Sequence, residues 1–200
     1  MPRWLAQVLS LVFHPAIYPI LGVFFILKQL PYHYPQKAIL MAVALVFCGT
    51  YLIPVLVSLL LFRLNLVNSL VMSTAKDRRL PFTFGALSFY LTSVLIQRAG
   101  LGNEAYMFLL SSAAVIVIHL ALLSFTKPSA HMSGISGFLG LLIALSLKYG
   151  LNFLPYIVLG LLISGLVASA RLKLEAHRPS ELVLGFFTGL LVVGFGIYFF

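Results

Sequence analysis

The chain alternates long apolar runs with short polar patches. Charged side chains are missing from seven stretches, 4–27, 38–62, 80–97, 105–126, 128–147, 149–170 and 182–200, which run 24, 25, 18, 22, 20, 22 and 19 residues. About 20 helical residues cross the hydrocarbon core of a bilayer, so each stretch predicts one membrane helix. A charge at the centre of such a helix costs about 2.5–3.5 kcal/mol on insertion scales, which explains why the runs stay clean. None shows the alternation of an outer-membrane barrel strand. The pattern predicts an all-α integral membrane protein, a compact bundle of six to seven transmembrane helices forming a single domain over 1–200.

Composition excludes the alternatives. Only 8% of the 200 residues are charged and 62% are hydrophobic, whereas a soluble domain carries about 25% charge. Cys48 is the only cysteine, which rules out an intramolecular disulfide and argues against a thiolate metal cluster. The net charge of +9 is dispersed rather than held in one block. Membrane lipids or a phosphorylated substrate are therefore expected as partners, and nucleic acid is not. The first apolar run is interrupted by His14, Pro15 and Pro19, and is expected to be a retained helix rather than a cleaved signal.

The connections are of two kinds. Three of them, 63–81, 127–134 and 171–181, hold most of the cations and three of the four acids. Two predicted helices separate successive members of this group, and two crossings return the chain to the side it left. All three are thus expected to converge on one membrane face. Gly134, Gly137 and Gly140, and Gly185 with Gly189, recur at spacings that let helices pack closely in lipid.

The first polar segment reads Ser73-Thr74-Ala75-Lys76-Asp77-Arg78-Arg79-Leu80-Pro81. Its cations either snorkel to headgroups or bind an anion. The second reads Lys127-Pro128-Ser129-Ala130-His131-Met132-Ser133-Gly134, a proline and hydroxyl residues opening a helix, whose first backbone N–H groups suit an anion. The third ends Glu175-Ala176-His177-Arg178-Pro179-Ser180-Glu181. Pro179 fits a first helical turn, with His177 at its mouth and Glu181 four residues further on. A carboxylate so placed holds one imidazole nitrogen and leaves the other to attack.

Together these residues resemble the type 2 phosphatidic acid phosphatase family, membrane relatives of the vanadium haloperoxidases. The family pattern is K-x6-R-P, then P-S-G-H, then S-R-x5-H-x3-D. Pro128-Ser129-Ala130-His131 is similar to the second element, with Ala130 for glycine. Arg171, His177 and Glu181 keep the spacing of the third, with Glu181 for aspartate and Ala170 where the serine stands. The first element is compressed to Lys76-Asp77-Arg78-Arg79-Leu80-Pro81, in the style of a divergent bacterial branch.

The resemblance implies a metal-independent phosphohydrolase without a cofactor, acting on a lipid phosphate or an isoprenoid (di)phosphate in a bacterial cytoplasmic membrane. It implies His177 as nucleophile, Glu181 as the group orienting its ring, and His131 as the acid for the leaving oxygen. Arg171, Lys76, Arg78, Arg79 and Ser129 would neutralise the phosphate oxygens, and Lys127 and Arg178 stand near enough in sequence to contribute. Phosphoryl transfer asks for this set of positioned cations, activated nucleophile and acid. Two other readings stay open: a catalytically degenerate relative that binds phospholipid, and an anion transporter. His119 is expected to bond a neighbouring helix, His33 with Tyr32 and Tyr34 to form an aromatic belt, and Glu175 to balance charge. His14 beside Pro15 is expected to mark a kink near one end of the first helix, with a supporting contact to the site face as the alternative. No H-E-x-x-H, paired-carboxylate or glycine-rich nucleotide motif points to a metal or cofactor.

Overall fold

The computed structural model describes residues 1–31, 33–70 and 74–200; Tyr32 and Ser73 lie outside this set. The described residues form eight helices and no strand: α1 (Arg3–Val12), α2 (Ile17–Gln29), α3 (Gln36–Arg63), α4 (Ala75–Arg98), α5 (Asn103–Leu122), α6 (Ala130–Tyr149), α7 (Leu154–Lys173) and α8 (Pro179–Phe199). Six of them, α3 to α8, are long and apolar enough to cross a membrane. Helices α1 and α2 meet at a 44° bend and make a seventh span if counted together. The bend falls at residues 13–16, in the middle of the predicted 4–27 run rather than near one end. Pro15 accounts for it: its ring removes a backbone donor and keeps His14 out of helical geometry.

Contacts group the chain into two units, Met1–Tyr18 with Thr126–Phe200, and Pro19–Phe125. In the first, α6 packs chiefly on α8, while α7 receives α1 and α6. Glycine sets the closeness of α6 and α8. A Cβ on Gly185 would lie 2.6 Å from the Ser129 carbonyl oxygen and 3.0 Å from its nitrogen. Leu159, Leu162 and Leu166 of α7 and Phe187, Leu191 and Phe195 of α8 face outward, the apolar exterior that lipid favours. Hydroxyls in the spans turn back on their own helix. Ser133 Oγ donates to Ser129 O at 2.9 Å, Ser164 Oγ to Gly160 O at 2.8 Å and Thr188 Oγ1 to Leu184 O at 2.7 Å. Each donor is thereby satisfied where no water is at hand.

In the second unit α4 pairs with α5, and the later half of α3 lies on α4. A single π-helical turn at Cys48–Leu52 interrupts α3, and Ser88 Oγ of α4 donates to the Gly49 carbonyl within it. Helix α4 starts at Ala75, ahead of the predicted 80–97 run, because Thr74 and Asp77 cap it. Thr74 Oγ1 accepts from Asp77 N at 3.2 Å and donates to Asp77 Oδ2 at 2.7 Å. Asp77 Oδ1 also accepts from Asn68 N and Nδ2, at 3.0 and 3.2 Å. The residues expected as a connection, Lys76 to Pro81, are therefore the first turns of a helix. The S/T-x-x-D signature of that start was present in the sequence.

Candidate active site

The third polar segment is built around the end of α7. Glu175 adopts a left-handed conformation, φ 54°, and the chain closes the helix with Ala176 N donating to Arg171 O at 3.1 Å and Glu175 N to Leu172 O at 2.9 Å. These are the two bonds of a Schellman motif, with glutamate in the position glycine usually takes. The turn leaves half-buried Arg171 in the last turn of α7 and delivers His177, two residues after Glu175, to the start of α8.

Glu181, in the first turn of α8, joins several strands of this arrangement. Its Oε2 stands 3.2 Å from His177 Nδ1 and accepts from Arg178 N at 3.0 Å. Its Oε1 accepts from Lys127 N at 3.3 Å, and its main-chain carbonyl accepts from Ser129 N at 3.0 Å. One carboxylate thus caps α8, holds the histidine and fastens the second polar segment to the third. An ionised carboxylate only accepts, so the His177 proton sits on Nδ1 and Nε2 carries the lone pair. Both side chains are buried, at 3% and 8% exposure, and the pair is dry enough for its geometry to be held.

His131 lies in the first turn of α6, one residue beyond Ala130. Its Nε2 is 3.0 Å from the carbonyl oxygen of Ser10 in the last turn of α1. A carbonyl cannot donate, so Nε2 carries the hydrogen and Nδ1 is the nitrogen left for proton exchange. Arg171 exerts its charge on both His14 and His131, and His131 interacts in the same way with His14 and His177. The Arg171 guanidinium therefore acts on two imidazoles, and His131 at the head of α6 lies within electrostatic reach of His14 and His177.

Ser129 is the N-cap residue of α6, yet its side chain makes no capping bond. Its Oγ is buried and has no hydrogen-bond partner among the described residues. Ser10 Oγ and Tyr18 OH share this condition, and of the three only Ser129 opens the helix that carries His131, where a hydroxyl donor is open to a ligand.

The structure thus brings together five of the expected residues, His177, Glu181, His131, Arg171 and Ser129, in the first unit. Lys127 is half-buried and enters through its backbone, and Arg178 is exposed at the α8 N-cap. Lys76, Arg78 and Arg79 belong to the second unit, at the head of α4, where Arg79 Nη2 reaches Ser124 Oγ at 3.5 Å. Buried His119 also belongs to that unit, and His33 Nδ1 pairs with Pro31 O at 2.8 Å. Sequence reasoning missed the Ser10 carbonyl and the Lys127 amide, for which no side chain gives a signal. It gave His14 as a kink, with a supporting contact to the site face as the alternative, and did not name His131 as its neighbour.

Comparison of the chain with protein-family models, with curated proteins and with solved structures returns no match. The class of protein rests on the helices and the site: an all-α chain with the spans of a multi-pass membrane protein, holding a buried His–Glu pair beside a guanidinium and two further histidines.

Proposed function

We propose that the protein is a membrane phosphatase that hydrolyses a lipid phosphate or an isoprenoid (di)phosphate through a phosphohistidine, without a metal. The observation that carries this reading is the His177 Nδ1–Glu181 Oε2 pair at 3.2 Å, which fixes the tautomer a nucleophilic imidazole needs. The resemblance to the type 2 phosphatidic acid phosphatases supplies the substrate class and the bacterial cytoplasmic membrane as its setting.

In the first step His177 Nε2 attacks phosphorus, a P–N bond forms and the P–O bond to the lipid alcohol breaks. His131 enters this step as the imidazolium, a form that the negative charge of the bound phosphate favours; with its Nε2–H held by Ser10 O, it gives the Nδ1 proton to the departing oxygen. In the second step water attacks phosphorus, the P–N bond breaks, and the water proton goes to His131. Arg171 and the Ser129 hydroxyl hold phosphoryl oxygens throughout, a guanidinium being suited to bidentate binding. Lys76, Arg78 and Arg79 are the remaining candidate phosphate ligands.

The test is phosphate release by the purified protein in detergent, with chelator present, from a panel of lipid phosphates and diphosphates. Release by the wild type and its loss by about a thousandfold or more in His177→Ala supports the mechanism. Equal release by both proteins removes His177 as nucleophile. Binding of lipid phosphate without release favours the phospholipid-binding reading, and flux of anions across vesicles without hydrolysis favours a transporter.

A further inference from the structure

His14 is a third histidine at this site and has no part in the two steps above. It is exposed on the break between α1 and α2, and its ring meets that of His131 edge-on, with centroids 5.6 Å apart and planes at 81°. Ala16 N donates to His14 Nδ1 at 3.3 Å. A nitrogen that accepts carries no hydrogen, so the neutral ring bears its proton on Nε2, which is a donor. Nε2 has no hydrogen-bond partner among the described residues, and the Arg171 charge acts on the same ring.

The break is also held firmly against the site. A Cβ on Gly134 would fall 3.2 Å from Pro15 Cα and 2.7 Å from Tyr18 Cδ2, so the turn carrying His14 lies directly on α6, three residues past His131. An N–H donor whose ring packs on His131, two residues from the buried unpaired Ser129 hydroxyl, beside histidines anchored by Ser10 and Glu181, suits an oxyanion with more than one oxygen to bind. We infer that His14 Nε2–H binds a phosphoryl oxygen of a phosphomonoester, as a third point of attachment beside Arg171 and Ser129. The inference rests on the phosphate reading of the site and adds a binding group to it; His14 neither attacks nor transfers a proton.

The experiment is calorimetric titration of the full chain in detergent, carrying His177→Ala so that no ligand is consumed, with inorganic phosphate and with dioctanoyl phosphatidate in mixed micelles. His14→Phe keeps the ring contact with His131 and removes the donor, while His14→Gln retains a donor. His14→Phe is expected to weaken both ligands about tenfold, the effect of one charge-assisted hydrogen bond, and His14→Gln to stay within about threefold of its parent. Unchanged affinity in His14→Phe, or equal losses in the two variants, overturns the inference and leaves the phosphate reading standing. A loss confined to phosphatidate overturns it as well, because His14 then touches the rest of the lipid and not its phosphoryl group. Failure of the parent to bind either ligand at millimolar concentration overturns both the inference and the reading beneath it.

Discussion

His177 and Glu181 face each other across the first turn of α8, Nδ1 to Oε2 at 3.2 Å, and both side chains are buried. The carboxylate meets the ring while bonded to Arg178 N and Lys127 N as well. Its position is therefore over-determined, and so is the tautomer it imposes on the histidine.

Glu181→Gln is expected to lower kcat by about two to four orders of magnitude with little change in KM, because an amide no longer selects the Nδ1–H tautomer. Glu181→Asp shortens the side chain by one methylene and cannot span from His177 to Lys127 N. It should retain more activity than the glutamine variant and melt at a lower temperature. Steady-state phosphate release and a detergent melting curve check both, and a wild-type kcat in Glu181→Gln would contradict the orienting role.

Ser129→Ala separates binding from stability. The hydroxyl is buried without a partner, and such a group costs about 1–3 kcal/mol. Its removal should leave the melting temperature unchanged or raised, while KM for the lipid phosphate rises about tenfold. A variant that melts earlier with unaltered KM would show that the hydroxyl serves the fold.

Gly185→Ala pushes a methyl group against the main chain of Ser129, at 2.6 and 3.0 Å. Overpacking of this kind costs about 1–3 kcal/mol, and here it also displaces the residue that opens α6. The variant should lose both stability and phosphate release. Gly165→Ala in α7 is the control, since nothing lies within 4 Å of the new Cβ, and it should match or exceed the wild-type melting temperature.

Glu175→Gly relieves a left-handed residue at φ 54°. The conformation costs a non-glycine residue about 1–2 kcal/mol, against the smaller entropy that glycine loses on folding. A modest rise in melting temperature with unchanged kcat is expected. A fall would mean that the glutamate side chain contributes more than its backbone strain takes away.

Much of this arrangement was legible beforehand. The charge-free runs predicted the spans, and the four-residue step from His177 to Glu181 predicted their contact once Pro179 was read as the first turn. The pattern of charge alone does not place the start of α4, because the charged residues 76–79 look like a boundary in it. The Thr74–Asp77 cap turned them into helix instead. The kink at His14 and a contact from it to the site face are legible in the sequence, but the place of the bend in mid-run and His131 as the partner are not, since nothing local to residue 14 reports on residue 131.

The sequence by itself determined that the chain forms apolar helices of membrane-crossing length, because uncompensated charge is too costly in hydrocarbon to be scattered through them. It also pointed to the His177–Glu181 pair, because a helix starting at Pro179 turns the Glu181 side chain back toward the residues that precede its N-cap. Only the tertiary structure decided which atoms complete the site. Ser10 O meets His131 across 121 residues of chain, and Lys127 N meets Glu181 across 54. Every residue carries such a carbonyl, and every residue but proline such an amide, so no residue type marks the ones that are used. The packing of α1, α6, α7 and α8 selects them.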